Sequence, residues 1–224
     1  MNHARHEMIK ACIFDLDGTI IYTIDSIKFS VNAAIVPEGL PPITDAETMA
    51  FIGNGTRELM VKVFRKYQLT DEAKMQRCCD GFDRIFAENC TRDNRAYAGM
   101  LPVLEGLKTD GIRLGVLSNK PDPRTKECVR KVYGDTLFDA VYGAREEVPM
   151  KPDPAGILEI MKEFGVTGEE TLYIGDGETD MISGKAAGCQ TVAVLWGYRN
   201  EEILRSFAPA FVIRKPEEIR ALCK

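Results

Sequence analysis

The sequence predicts an α/β fold, a doubly wound parallel sheet, with a separate all-helical domain inserted after its first strand. Short apolar runs bounded by turn residues are typical of buried parallel strands, and they recur at residues 11–14, 113–117, 140–142, 171–174, 191–195 and 210–213. Between the later runs lie segments with helical periodicity, at residues 101–107, 154–164 and 179–187. Strands that alternate with helices indicate a parallel sheet covered on both faces.

The first connection is the exception to this alternation. Residues 15–112 separate the first two apolar runs, whereas a crossover between parallel strands needs only about a dozen residues. Residues 25–94 are patterned as helices and contain no convincing strand run. We therefore predict a core domain formed by residues 1–20 and 95–224 and an inserted helical domain of residues 21–94.

Composition excludes several classes of function. The net charge of −5 argues against a nucleic-acid partner, because phosphate backbones are held by clustered lysines and arginines. No apolar run approaches the ~18 residues of a membrane span, and the first residues lack a signal-peptide pattern, so we expect a cytoplasmic protein without a membrane partner. The seven cysteines lack paired CxxC spacing, which favours reduced thiols. Nothing in the sequence indicates an oligomeric state.

Histidine occurs only as His3 and His6, in a polar segment ahead of the first strand. Two imidazoles on such a segment make a poor metal site. Their position also removes His-dependent triads, Cys–His pairs and HExxH zinc enzymes from consideration. Any catalysis is therefore expected to depend on carboxylates.

Two carboxylates, Asp15 and Asp17, follow the first predicted strand and precede Gly18. Side chains two residues apart in an extended chain point to the same side, and α/β sheets bind ligands at the carboxyl ends of their strands. Aspartate and glycine are also ordinary turn residues. A cap does not need the second acid, so the pair favours a functional role.

Two other strand ends carry groups that bind phosphate. Ser118, Asn119 and Lys120 follow the run at residues 113–117 and offer a hydroxyl, a backbone N–H and a cation, although alone they are more typical of a polar turn before a proline. Lys151 precedes a proline that disfavours helical conformation, which holds it at a helix entrance. A solvated lysine is the alternative interpretation.

Asp176 follows the run at residues 171–174, and Asp180 lies one turn into the next predicted helix. Both carboxylates can therefore face the same spot. The glycines around Asp176 also resemble the start of a dinucleotide-binding fingerprint, but Asp180 stands where its third glycine belongs and would repel a pyrophosphate.

The acids at these strand ends would repel one another and raise one another's pKa unless a cation lay among them. Oxygen ligands in incomplete number indicate Mg²⁺, which keeps waters and accepts phosphate oxygens. The sequence thus predicts a magnesium site for an anionic small-molecule substrate, with the candidate ligands Asp15, Asp17, Asp176 and Asp180.

These residues, in this order, resemble the motifs of the haloacid dehalogenase-like hydrolase superfamily, and within it the phosphoglycolate phosphatase-like members with a helical cap. The four motifs are Asp15-x-Asp17-Gly18-Thr19, Ser118, Lys151 and Gly175-Asp176-x-x-x-Asp180. Two further stretches are similar to that subfamily, LWGYR at residues 195–199 and IGNG at residues 52–55, the second inside the inserted domain.

The resemblance implies roles for the two acids of the first motif. Asp15 would be the nucleophile that forms an aspartyl-phosphate, and Asp17 would be the general acid and base. Mg²⁺ would be held by Asp15, the Asp17 carbonyl and Asp176, while Asp180 would orient its waters.

The resemblance also implies how the substrate is bound. Thr19, Ser118, the Asn119 backbone and Lys151 would hold the phosphoryl group, Lys151 with a catalytic role. The inserted domain would be a cap that closes over the site and selects the leaving group. Candidate substrate contacts on or near the cap are Gly53, Arg57 and Lys120.

The implied activity is Mg²⁺-dependent hydrolysis of a small phosphomonoester, with phosphoglycolate as the substrate that the family suggests. By resemblance, the dehalogenase branch lacks an acid at the position of Asp17, which favours a phosphatase. Two alternatives stay open, a phosphomutase of the β-phosphoglucomutase type on the same fold and a non-catalytic regulatory binding protein. Clustered acids argue against the second, because they have no stabilising role of their own.

Overall fold

The computed structural model describes residues 8–224, and its core is a six-stranded sheet in which every neighbouring pair is parallel. Its strand order is β5-β4-β1-β6-β7-β8, and β2 and β3 form a separate antiparallel ribbon. In chain order the strands are β1 (Ala11–Phe14), β2 (Ile21–Tyr22), β3 (Arg95–Ala96), β4 (Arg113–Pro121), β5 (Ala140–Ala144), β6 (Thr171–Gly175), β7 (Gln190–Val194) and β8 (Phe211–Ile213). His3 and His6 lie outside the described residues.

Four α-helices lie between β2 and β3, five more precede or connect the later strands of the large sheet, and α10 follows the last strand. The helices are α1 (Ile24–Ile35), α2 (Asp45–Phe51), α3 (Gly55–Lys66), α4 (Glu72–Asn89), α5 (Met100–Thr109), α6 (Asp122–Tyr133), α7 (Ala155–Phe164), α8 (Glu178–Ala186), α9 (Glu201–Ser206) and α10 (Ile219–Leu222). Among residues 8–224, no helix is long and apolar enough to cross a membrane.

Strand β1 is buried on both faces, which explains why it is wholly apolar. Cys12 and Phe14 pack into the cluster that includes Leu104 of α5, whereas Ile13 packs on the opposite face against Ile160 of α7. A strand covered on both sides has no position for a polar side chain before its end. The predicted doubly wound parallel sheet is confirmed.

The inserted helices begin and end at the β2–β3 ribbon, where Ile21 pairs with Ala96 and Tyr22 with Arg95. The predicted domain boundaries assign β2 to the inserted domain and β3 to the core, although the two strands pair with each other. A capping box starts α2, with Thr44 and Glu47 bonding reciprocally to each other's backbone N–H, the motif that satisfies the free N–H groups of a first turn. The division into two domains stays a prediction.

Strand β4 is longer than the sequence predicts, since it continues from the predicted end at residue 117 to Pro121. Ser118, Asn119 and Lys120 therefore lie within the strand and not in a turn, and all three are buried. Their polar character interrupts the apolar pattern, because they are buried against the site described below and not against a hydrophobic layer.

Candidate active site

The chain turns sharply after β1, and this turn positions the first two acids at the edge of the sheet. Asp15 continues the strand, with its N–H 2.9 Å from the carbonyl oxygen of Ile174. Gly18 has φ +89°, and a Cβ there would lie 2.3 Å from Asp176 Oδ2. Only glycine suits this position, because the conformation is left-handed and the neighbouring carboxylate is in contact.

Lys151 lies between two buried carboxylates. Its Nζ is 2.6 Å from Asp15 Oδ1 and 2.7 Å from Asp180 Oδ1, and its side chain is 3% exposed. Burial by itself would lower the pKa of Lys151, but the charges of Asp15 and Asp180 outweigh it and raise the pKa well above its usual value. Lys151 is therefore a fixed cation beside the candidate nucleophile.

Three carboxylates come together beside this lysine. One oxygen each from Asp15, Asp176 and Asp180 lies within 4.8 Å of the others. Burial, opposed by Lys151 and supported by the neighbouring acids, raises the pKa of Asp15 to about 7. Burial followed by the charges of Asp15 and Asp180 raises the pKa of Asp176 well above its usual value.

This cluster fits Mg²⁺ in the chemistry of its donors. The ligand atoms are carboxylate oxygens, which Mg²⁺ prefers, and three protein groups leave room for water or a phosphate oxygen. A divalent cation would also relieve the repulsion that raises these pKa values.

Asp176 is held in place by the segment that follows β7. The N–H of Tyr198 lies 2.6 Å from Asp176 Oδ2, and a Cβ at Gly197 would lie 2.2 Å from the Cβ of Asp176. Thr19 Oγ1 lies 3.5 Å from Asp176 Oδ1. Thr19, predicted to bind the substrate, is thus placed beside Asp176 and not in the pocket lining.

Asp180 has partners on both carboxylate oxygens. Oδ1 accepts from Lys151, and Oδ2 accepts from the N–H of Gly177 at 2.9 Å. A carboxylate occupied in this way is suited to orienting neighbouring groups more than to giving both oxygens to a metal.

Asn119 ties three parts of the site together. Its Nδ2 donates to the Lys151 carbonyl at 2.9 Å and to the Gly53 carbonyl at 3.0 Å, and its Oδ1 accepts from the Lys151 N–H at 2.9 Å. Ser118 precedes it on β4 and also lines the pocket. Gly53 belongs to the inserted helices, so this contact joins them to the sheet.

Lys120 forms an ion pair with Asp17. Its Nζ lies 2.5 Å from Asp17 Oδ1, and the lysine side chain is 4% exposed. Burial would lower the pKa of Lys120, but Asp17 outweighs it and raises the pKa. The structure therefore gives Lys120, predicted to contact the substrate, a protein partner. It also places the Asp17 carboxylate outside the three-carboxylate cluster, so any metal contact of Asp17 rests on its carbonyl.

The pocket lies between these strand ends and the inserted helices. The wall formed by the inserted segment is mostly apolar, with the exception of Asn54, Thr56 and Asp83. Thr56 and Asp83 bond to each other at 2.9 Å. The apolar members are Ile27, Ile52, Leu59, Phe82 and Phe86. Phe82 and Phe86 stack with their ring centroids 5.1 Å apart, and their i, i+4 spacing in α4 was a signal that the sequence analysis missed.

Arg57 does not reach this pocket. Its guanidinium lies 2.6 Å from Glu72 Oε1, and its side chain is 62% exposed. The pocket lining includes its neighbours Gly55 and Thr56 but not Arg57. The prediction that Arg57 contacts the substrate stays a prediction, and in this structure its guanidinium pairs with Glu72 on α4 and does not line the pocket.

The carboxyl edge of this sheet is suited to an anion, since buried lysines and a cluster of three carboxylates that fits a cation face a pocket covered by helices. By fold and site the protein is an α/β protein whose candidate active site lies at the carboxyl edge of a parallel sheet, beneath the inserted helices. The model of the family described as haloacid dehalogenase-like hydrolase matches residues 12–194. The chain belongs to this family.

Curated relatives agree with this assignment. Phosphoglycolate phosphatase from Rhodospirillum rubrum is 31% identical over 202 residues, covering 88% of this chain and 83% of its own. The Haemophilus influenzae enzyme of the same name is 29% identical over 204 residues, covering 89% and 91%. A crystal structure of a predicted phosphoglycolate phosphatase from Haemophilus somnus superposes with a TM-score of 0.88 at 25% identity, covering 96% and 98%. The protein is a phosphatase, a phosphoric monoester hydrolase.

Proposed function

We propose that this phosphatase is Mg²⁺-dependent and hydrolyses a small phosphorylated metabolite through an aspartyl-phosphate on Asp15. The observation that carries the proposal is the position of Asp15. It borders the pocket, contacts Lys151 and belongs to the three-carboxylate cluster. A carboxylate is a recognised nucleophile for phosphoryl groups, and here it is fixed by its neighbours before any substrate binds.

In the first step an oxygen of Asp15 attacks phosphorus, and the bond from phosphorus to the leaving oxygen breaks. Asp17 has to enter this step protonated, and it gives that proton to the leaving oxygen. In the second step a water attacks the phosphorus of the aspartyl-phosphate, Asp17 takes the proton from the water, and the bond to Asp15 breaks. Phosphate is released and both aspartates return to their starting states.

The charge on the phosphoryl oxygens is countered by groups that do not move. Lys151 supplies a buried cation, and Ser118 with the Asn119 backbone supplies donors at the end of β4. Asp15, the Asp17 carbonyl and Asp176 are the groups that would hold Mg²⁺, which when bound neutralises charge between the nucleophile and the phosphate. Lys120 keeps the Asp17 carboxylate in one orientation through the 2.5 Å ion pair.

The relatives named phosphoglycolate phosphatases support a small phosphomonoester such as 2-phosphoglycolate as the substrate. The pocket supports a small leaving group, because its stacked rings and glycine-rich loop line the same cavity as the acids. Closure of such a cap excludes water from the site during the first step.

The test is hydrolysis of 4-nitrophenyl phosphate and of a panel of phosphorylated metabolites, 2-phosphoglycolate included, by the purified protein with and without Mg²⁺. We expect turnover only with the metal, and we expect Asp15→Asn to abolish turnover while the protein remains folded. The matched control is Asp110→Asn, which alters a surface ion pair with Arg220 and is expected to retain activity. Undiminished activity of Asp15→Asn would contradict the nucleophile assignment.

A further inference from the structure

The segment Trp196–Arg199, which follows β7 and which we name the clasp, has no role in the chemistry described above. Its first contacts are with the catalytic side of the site. Trp196 Nε1 donates to the Thr19 carbonyl at 2.9 Å, and the Tyr198 N–H donates to Asp176 Oδ2 at 2.6 Å. The clasp therefore supports both the turn after β1 and Asp176, one member of the three-carboxylate cluster.

The same segment also holds the cap. Arg199 Nη1 donates to the Met49 carbonyl at 2.6 Å, and Nη2 donates to the Ile52 carbonyl at 2.9 Å. Tyr198 Oη accepts from the N–H of Thr23, directly before α1, at 3.0 Å. Two adjacent clasp residues thus contact the first helix of the cap and the end of its second helix.

The end of α2 is a suitable place for a guanidinium. This helix ends at Phe51, and the last carbonyls of a helix have no partner within it and carry the negative end of its dipole. The planar fork of arginine presents donors on separate nitrogens in fixed directions, whereas a lysine donates from a single nitrogen. Glu178 at the start of α8 holds the other side of the fork, 3.0 Å from Arg199 Nε.

The Arg199 guanidinium and the Met49 and Ile52 carbonyls have these hydrogen-bond partners only while the cap is closed. The Arg199 side chain is 15% exposed, and two of its three partners belong to the cap, so opening the cap returns both carbonyls and most of the guanidinium to water. Asn119 adds a parallel contact to the Gly53 carbonyl at 3.0 Å. Gly53 and the following residues line the pocket, so these bonds hold the loop that stands over the substrate.

We propose that Arg199 is a positioning residue for the phosphatase reaction and acts as a latch. Its bonds to the Met49 and Ile52 carbonyls hold the cap closed over the site that contains Asp176. This inference rests on the proposed function, because the reaction is what reports the closed state. Tyr198, the residue immediately before the latch, holds Asp176. The clasp therefore links closure of the cap to the three-carboxylate cluster.

The first test compares the steady-state kinetics of Arg199→Ala, Arg199→Lys and the wild type with Mg²⁺ and 4-nitrophenyl phosphate. If loss of the latch leaves the cap closed about a tenth of the time, apparent affinity falls in proportion and KM rises about tenfold, with little loss of kcat at saturation. Arg199→Lys keeps the positive charge but loses the planar guanidinium, and its KM is expected to lie between those of the wild type and Arg199→Ala. Arg145→Ala is the matched control, a similarly buried arginine that pairs with Glu159 away from the cap, with wild-type KM expected.

The second test measures the exposure of Trp196 to solvent and does not depend on catalysis. Trp196 is the single tryptophan of the chain, it belongs to the clasp, and its ring lies 6.4 Å from that of Tyr97 beside the β2–β3 ribbon. Quenching of its fluorescence by acrylamide is expected to increase in Arg199→Ala and not in Arg145→Ala. A merely structural role for Arg199 would lower the melting temperature and leave both KM and quenching unchanged in the folded protein.

The outcomes separate the two proposals. Wild-type protein that hydrolyses no phosphomonoester with Mg²⁺ overturns the proposed function, and the latch falls with it. Active wild type together with an Arg199→Ala variant of unchanged KM and unchanged quenching overturns the latch alone. If Arg199→Ala does not fold, Arg199→Lys decides, and wild-type KM and quenching in that variant overturn the latch as well.

Discussion

The Lys120 Nζ lies 2.5 Å from Asp17 Oδ1, so the candidate general acid and base is paired with a buried lysine 103 positions away in the chain. The lysine follows Ser118 and Asn119 on β4, and its Nζ also lies 5.4 Å from the centroid of the Phe86 ring in α4. Asp17 is therefore positioned by a side chain that lies on the sheet and also approaches an aromatic ring of the inserted helices.

Replacing Lys120 by methionine is expected to lower kcat about 10- to 100-fold, because general acid–base catalysis contributes about 10²–10⁴-fold and depends on a positioned carboxylate. The loss should be larger for an alkyl phosphate, whose leaving oxygen needs a proton, than for 4-nitrophenyl phosphate. Steady-state kinetics with both substrates measure the difference. Equal losses on the two would show that Lys120 does not act through Asp17.

Removing Lys151 is expected to destabilise the protein as well as inactivate it. Lys151→Met leaves Asp15 and Asp180 buried without their cation, and breaking a buried ion pair on one side costs about 3–5 kcal/mol. Urea denaturation measures the free energy of unfolding. Lys126→Met, which loses an exposed i, i+4 pair with Asp122, is the control and should change it by about 0.5 kcal/mol or less. An equally small change in the free energy of unfolding of Lys151→Met would argue against stabilisation by the buried ion pairs of Lys151.

Binding of Mg²⁺ is expected to weaken as the pH falls. The pKa of Asp15 is raised to about 7 in the metal-free protein, so below that pH the metal has to displace a proton. The increase in melting temperature on adding Mg²⁺ should therefore be larger at pH 8 than at pH 5.5. Asp176→Asn, which removes one oxygen ligand, should show little increase at either pH.

The same pKa predicts how the metal-free protein responds to pH. A folded pKa above the unfolded value of about 3.9 means that Asp15 contributes stability that is fully present below about pH 4 and is lost as the pH rises through about 7. In EDTA, Asp15→Asn should remove this contribution and flatten that part of the stability profile. An identical profile for the variant would place the titrating group elsewhere.

Gly18→Ala is expected to impair the site more than the fold. A second glycine, Gly111, has a similar φ of +82° but open space around its Cβ position, so Gly111→Ala reports the cost of the left-handed conformation alone, about 1–2 kcal/mol. Gly18→Ala adds a collision with Asp176 Oδ2 and should lose further stability and most Mg²⁺-dependent activity. Thermal melts and activity of the two variants give the comparison, and equal behaviour would contradict the close approach.

The apolar strands and the acids that follow them could be predicted from local pattern. Strand β1 is apolar at every position and stops at Asp15, because a strand buried on both faces admits polar groups only at its end. Once the sheet is parallel, the carboxyl ends of β1, β4 and β6 must meet at one edge. The proximity of Asp15, Ser118 and Asp176 follows from the order of the strands.

Other features of the site depend on contacts between distant parts of the chain, and only the tertiary structure decided them. Lys120 lines the pocket but also pairs with Asp17, and Thr19 lies against Asp176. The partners of Arg199 are backbone carbonyls, which every residue possesses and no sequence pattern marks. The residue types at the strand ends determined the chemistry of the site, whereas the packing of the cap against the sheet determined which side chain meets which, because that packing sums contacts over the whole chain.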